Sequence, residues 1–212
     1  IMGFAEILTR EYFGALNDKQ KDYARNIGEA SEKLLALIND ILDLSTIEAG
    51  YMALEKGPLD IRAMLESLVA LTAEWAKKEN IPITLDCPKT IGKMTADERR
   101  VKQILLNLIR NAIAFTPAGN GKIALVARRA ENGGVELSVS DNGTGIPPED
   151  QARVFEPFER IQAPARPDGK PVRAGAGLGL SLVKNIAELH GGSVRLTSAP
   201  GAGTRVTLTF PG

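Results

Sequence analysis

The chain has 212 residues, of which 43% are hydrophobic, enough for one large domain or two unequal ones with a buried core. Lys plus Arg and Asp plus Glu both total 26, so the zero formal charge excludes a protein-wide field favouring nucleic acid or anionic lipid; any anion site has to be local. A lone cysteine, Cys87, excludes an internal disulfide, and no apolar run approaches the roughly 20 residues of a membrane span, which points to a reducing cytoplasm and no membrane contact by these residues.

Ile1 already stands inside a helix-like pattern, without a start signal or targeting segment, so the chain reads as part of something longer. Residues 1–13 carry a short apolar helical pattern and 14–18 read as a helix-helix turn. From 22 to 48 the apolar residues follow a heptad, with Ile27, Leu34 and Ile41 at one position and Tyr23, Ala30, Leu37 and Leu44 at its partner. Leu35, Ile38 and Leu42 widen that stripe beyond a two-stranded seam, toward the face a bundle buries. The expected unit is a helical hairpin, residues 1–55, that pairs with a second copy as a dimeric four-helix bundle. Docking of the hairpin on the rest of its own chain is the alternative.

Residues 50–58 break the pattern and mark a boundary, after which 56–212 form the second expected domain. Its elements are a strand at 59–61, a helix to 78, a strand at 81–85 and a helix at 97–115. Strands at 122–128 and 135–140 follow, joined through Asn132-Gly133, then a helix at 178–189 and a hairpin at 193–210. Val135, Leu137 and Val139 alternate inward against Glu136, Ser138 and Ser140, so one sheet face is expected to be polar or solvated. Helices on the other face make a two-layer α/β sandwich.

Asn107 and Asn111, four apart beside the apolar stripe of the 97–115 helix, are poor mid-helix residues. Their amide oxygens suit a hard cation such as Mg²⁺ or a phosphate-bound water; solvated or capping asparagines are the alternative. At a strand end stands Asp141-Asn142-Gly143-Thr144-Gly145-Ile146-Pro147, where a carboxylate could accept the amine of adenine and the glycines admit a planar ligand, or where a plain turn could follow the strand. Phe155-Glu156-Pro157-Phe158-Glu159-Arg160 precedes a long aperiodic stretch with Arg166, Lys170 and Arg173, as expected of a functional lid or a disordered segment, the positive charges favouring a polyphosphate beneath it. Gly175-Ala176-Gly177-Leu178-Gly179-Leu180 then opens a helix, whose free amide N–H groups and dipole attract phosphate. These glycines follow no strand and are spaced G-x-G-x-G, which disfavours a dinucleotide fold, and no G-x-x-x-x-G-K-[ST] occurs, which excludes a P-loop.

In this order the four elements resemble the N, G1, F and G2 boxes of the histidine-kinase ATP-binding domain, the Bergerat fold shared with gyrase and MutL. The residues that carry the likeness are Asn107-Leu108-Ile109-Arg110-Asn111-Ala112 with Phe115-Thr116-Pro117, then 141–145, 155–158 and 175–179. Leu189-His190-Gly191-Gly192 and Gly203-Thr204-Arg205-Val206 match the closing strands, residues 1–8 the sequence after the phosphoacceptor motif, and 37–50 the second hairpin helix. The hairpin excludes gyrase-like and MutL-like ATPases, and the texture resembles the alphaproteobacterial cell-cycle group of PleC, DivJ and DivL.

The resemblance implies ATP and Mg²⁺ as cofactors, with adenine recognition by Asp141, metal coordination by Asn111, and phosphate or water positioning by Asn107. It implies that Gly143, Gly145, Gly175, Gly177 and Gly179 shape the nucleotide loops, that Phe115, Phe158 and Leu178 contribute to the site, that Thr204 lies near adenine, and that Arg160 belongs to the lid. The implied reaction is γ-phosphoryl transfer to a hairpin histidine and then to the receiver domain of a response regulator, another histidine kinase being a further partner. Ala114 stands where the family often has a lysine that reaches the phosphates. The family's acceptor falls about nine residues before Ile1 by helical register, so the 212 residues are expected not to label themselves. A degenerate kinase with tyrosine at the acceptor, acting as a noncatalytic hub, is the alternative. His190, the one histidine, reads as a helix C-cap.

Overall fold

The computed structural model describes residues 1–160 and 175–212, which form two compact units, Ile1–Gly50 and Tyr51–Gly212. In the first unit, α1 (Met2–Thr9) and α2 (Asp18–Glu48) make an antiparallel hairpin. Asn17 starts α2 through a reciprocal capping box with Gln20. The first helix stops at Thr9 instead of continuing through Phe13. Glu11 takes φ 53° there, and its carboxylate accepts from the Leu16 N–H at 2.7 Å and pairs with Lys21 at 3.1 Å, so the chain reverses early. Small residues let the helices approach: Ala5 and Ala24 are buried, and a Cβ at Gly28 would touch that of Ala5 at 3.8 Å. The widened heptad stripe stays open, with Tyr23, Ile27, Leu34, Leu35, Ile38, Ile41 and Leu42 exposed.

The second unit runs β1 (Gly57–Asp60), α3 (Ile61–Lys78), β2 (Ile83–Asp86), β3 (Lys93–Ala96), α4 (Glu98–Phe115), β4 (Ile123–Arg129), β5 (Val135–Asp141), α5 (Gly179–Leu189), β6 (Ser193–Ala199) and β7 (Gly203–Phe210). Its main sheet has the order β2-β4-β5-β7-β6, parallel between β2 and β4 and antiparallel elsewhere. A separate antiparallel ribbon joins β1 and β3. Ile61, expected to end a strand, instead opens α3, because Asp60 accepts from the Ala63 N–H at 3.0 Å and so caps a helix. No expectation covered β3, whose four residues carry a single buried alternation at Met94 and Ala96.

Strand register sets the core. Leu125, Val139, Val206 and Leu196 form one cross-strand row on the helix-facing side, and Ala127, Leu137, Leu208 and Val194 form the next. Against them pack Val101, Ile104, Leu105 and Leu108 of α4 and Leu182, Val183 and Ile186 of α5, all buried. The result is the expected two-layer α/β sandwich. Its outer face is less solvated than the alternation implied: Ser138 is buried, flanked in register by Val126 and Thr207.

Candidate functional site

The next helix-facing row of the sheet turns polar beyond β4. Ile123, Asp141, Thr204 and Ser198 pair successively across β4, β5, β7 and β6. The period-2 alternation that sends Val135, Leu137 and Val139 inward therefore sends Asp141 inward too, at the strand end where the layers open. A cleft of about 510 Å³, counting its open mouth, lies there. Its wall comes from one face of α4 (Leu108, Asn111, Ala112, Phe115), the sheet residues Val139, Asp141, Leu196, Thr204 and Val206, the loop residues Thr144, Gly145 and Ile146, and Leu180 of α5.

Asp141 Oδ1 accepts two amide bonds, from Gly143 at 2.8 Å and Thr204 at 3.3 Å. Burial in this apolar setting nevertheless pushes its carboxyl pKa up to about 6, the two N–H groups pulling the other way. The loop after it is stitched in place. Thr144 N–H donates to the Phe115 carbonyl at 3.2 Å, Gly201 N–H to the Thr144 carbonyl at 2.8 Å, and Ile146 N–H to Ser198 Oγ at 2.8 Å. Gln151 Nε2 adds bonds to the Ile146 and Ser198 carbonyls. Gly145 has φ 70°, and a Cβ there would collide with the Ala199 carbonyl oxygen, so no other residue fits this approach.

A second feature lies where α5 begins. Leu178 provides no side-chain cap, leaving the first amide N–H groups of α5 without one. The Asn107 side chain lies 3.9 Å from where a Cβ of Gly179 would stand. Its Nδ2 is buried without a hydrogen-bond partner. An orphaned buried N–H₂ beside uncapped helix amides is a donor set that suits an anion's oxygens.

Of the residues the sequence singled out, the structure thus brings Asn111, Phe115, Asp141, Gly145 and Thr204 onto one cleft. Gly143 stands behind the wall, its amide on Asp141. Asn107 and Gly179 meet at the α5 terminus, and Leu178 is wholly buried as that terminus's anchor. Phe158, Arg160, Gly175 and Gly177 are off the cleft wall. Phe158 is exposed at φ 65°, its N–H donating to the Gly177 carbonyl at 3.0 Å, while Arg160 and Gly175 are exposed beyond it. Arg166, Lys170 and Arg173 lie outside the described residues. Among the described residues no His, Cys, Asp and Glu cluster could hold a metal. Asn111 lines the cleft, and its side-chain amide carries an oxygen of the kind a Mg²⁺ ion with phosphate and water ligands can take as its one protein ligand.

Sequence reasoning missed the apolar wall and the Ser198 and Gln151 ties. Val139, Leu196 and Val206 look like any strand core; only their place one row from Asp141 could have marked them. The C-cap reading of His190 is what the structure shows: it ends α5, buried, with Nδ1–H donating to the Ile186 carbonyl at 2.8 Å, Nε2 accepting from the Asp97 N–H at 3.0 Å, and its ring edge-on to Phe210.

Residues 96–212 match the family described as histidine kinase-, DNA gyrase B- and HSP90-like ATPase, and residues 1–50 match the His Kinase A (phospho-acceptor) domain. Over its whole length the chain is 41% identical to the non-motile and phage-resistance protein of Caulobacter vibrioides, spanning 25% of it, and 40% identical to histidine protein kinase DivJ of the same organism, spanning 34%. A solved structure of full-length ShkA in complex with AMPPNP aligns with the whole chain and 42% of its own, at 31% identity and a TM-score of 0.82. These 212 residues span well under half the length of such curated relatives. The likeness to DivJ bears out the resemblance to the alphaproteobacterial cell-cycle group. With an ATPase domain following a phospho-acceptor domain in the sequence, the chain belongs to the histidine kinase-, DNA gyrase B- and HSP90-like ATPase family, as a sensor histidine kinase core.

Proposed function

We propose that the cleft binds ATP with Mg²⁺ and presents the γ-phosphate for transfer to a histidine of a hairpin, from which a response-regulator aspartate receives it. The observation that carries this reading is the pairing of a buried carboxylate at one end of an apolar slot with an orphaned amide and uncapped helix N–H groups at another place on α4 and α5. The first suits an exocyclic amine and the second suits phosphates. In this reading Val139, Leu196, Val206 and Ala112 sandwich the base, and Asn111 lends its oxygen to the metal. Asn107 donates to a phosphate oxygen or its water. Bound Mg²⁺ supplies charge neutralisation on the phosphates; alignment is the protein's own contribution. Gly143, Gly145, Gly175, Gly177 and Gly179 shape the nucleotide loops, Thr204 faces the base, Phe115 lines the slot, Leu178 anchors the α5 terminus at the phosphates, and Phe158 and Arg160 belong to a lid that closes on the nucleotide.

Titration calorimetry with ATP and Mg²⁺ tests the binding half: saturable heat in the wild type and its loss in Asn107→Asp, which sets a negative charge against phosphate, is expected, and equal affinity for both proteins sinks the reading. For the transfer half, γ-labelled ATP should leave these 212 residues unlabelled, because their one histidine is buried with both ring nitrogens engaged. A histidine-bearing hairpin joined to this ATPase unit should be labelled. If it stays unlabelled while ATP binds, the alternative gains: a noncatalytic hub that signals by conformation, favoured by Ala114 at the lysine position.

A further inference from the structure

Ser198 Oγ has three close polar neighbours: the Ile146 N–H at 2.8 Å, the Gly203 carbonyl at 2.8 Å and Thr204 Oγ1 at 2.9 Å. A hydroxyl offers one hydrogen and two lone pairs. The carbonyl can only accept, so it takes the hydrogen. Ile146 N–H can only donate, so it takes one lone pair, and the other is left for the Thr204 hydroxyl to donate into. Reversing the Ser198–Thr204 bond would deprive the Gly203 carbonyl of this donor and leave one Ser198 lone pair idle. The saturated arrangement turns the Thr204 hydrogen away from the cleft, so that Thr204 Oγ1 meets a ligand as an acceptor only. Beside it, Asp141 Oδ1 is occupied by two amides, leaving Oδ2 as a second acceptor.

Resting on the nucleotide reading of the cleft, we infer that Ser198 is a positioning residue for base specificity: by fixing the sense of the Thr204 hydroxyl it makes the Asp141–Thr204 pair all-acceptor, selecting a 6-aminopurine over a 6-oxopurine. An amine at C6 donates to these oxygens, whereas a carbonyl there sets lone pair against lone pair. Ser198 itself is not on the cleft wall and acts through Thr204.

Affinities for ATP and for inosine triphosphate, which carries oxygen in place of the amine, test this in the wild type, Ser198→Ala, Thr204→Val and the double variant, with thermal unfolding followed in the same samples. The wild type should prefer ATP, and Ser198→Ala should narrow that preference by about tenfold, the worth of one ordinary hydrogen bond. Ser198→Thr should retain the preference. Thr204→Val should narrow it as well, and the double variant should narrow it no further, since both changes remove one interaction. Equal losses for both nucleotides in Ser198→Ala, with the ratio unchanged, overturn the inference and leave Ser198 a loop support while the nucleotide reading stands. Should Ser198→Ala fail to fold, Ser198→Cys is held to the same ratio. Absence of ATP binding by the wild type overturns the nucleotide reading and this inference with it.

Discussion

A carboxylate in the inward alternation of a strand is held where folding alone would not put it, because burial opposes its charge. Asp141 keeps its proton up to about pH 6 in the fold, against 3.8 for an ordinary aspartate. Between those values the folded state holds a proton that the unfolded chain releases, so the ligand-free fold loses stability as the pH rises from about 4 to about 6 and carries that cost at neutral pH. Asp141→Asn keeps an Oδ1 for the Gly143 and Thr204 amides and removes the charge. Urea unfolding at pH 7.5 should find the variant more stable by up to about 3 kcal/mol, while calorimetry should find ATP bound more weakly by roughly 1.5 to 3 kcal/mol. A variant that is no more stable and binds ATP equally well removes Asp141 from both roles. Wild-type ATP affinity should be full above about pH 6 and fall as the pH drops through it, whereas the profile of Asp141→Asn should lack that component; parallel profiles count against a titrating Asp141. The position was legible because its neighbours alternate. Its burial was legible only from the same parity, and the amide pair that holds it needed β7, which lies 63 residues away in sequence.

Helices α4 and α5 meet through their ends as well as their faces. Asp97 caps α4 by accepting from the Arg100 N–H, and its own N–H donates to His190 at the end of α5. His190 must be neutral to accept that bond, and burial holds its pKa below the ordinary 6.5. The unfolded chain therefore gains a proton first on acidification, and this contribution to stability, complete above pH 6.5, is lost as the pH falls below it. Replacement His190→Leu strands the Asp97 N–H and should cost about 1 to 3 kcal/mol, seen as an earlier urea midpoint at pH 7.5 and a smaller loss between pH 7.5 and 5.5 than in the wild type. An unchanged midpoint would show the link to be idle. Long periodic elements such as α2, α4 and the two hairpins were legible because each repeats its signal several times. In the β1–β3 ribbon only β1 was anticipated; β3 was not, since its four residues alternate just once and its pairing with β1 is long-range, and α1 was overestimated because the Glu11 turn depends on Leu16 and Lys21 rather than on periodicity.

At the scale of the whole molecule, the hairpin is the part left unfinished. Seven large apolar side chains of α2 are exposed along a face too broad for one partner helix. Pairing with a second copy should cover them, and sedimentation at rising concentration should show association in the wild type that Ile38→Asp abolishes; a wild-type chain that stays monomeric throughout excludes it. The same face was readable as a heptad, but which residues would lie open was not, because that depends on how short α1 is. The two borders of the main sheet behave oppositely to this face. One is β2, only four residues long, and the other is β6, which presents Arg195 amid serines and threonines. Short or charged outer strands are poor templates for a foreign strand, so the sandwich should resist amyloid-like stacking at its borders. With both borders guarded, the pairing expected through α2 should end in closed pairs instead of open-ended fibres.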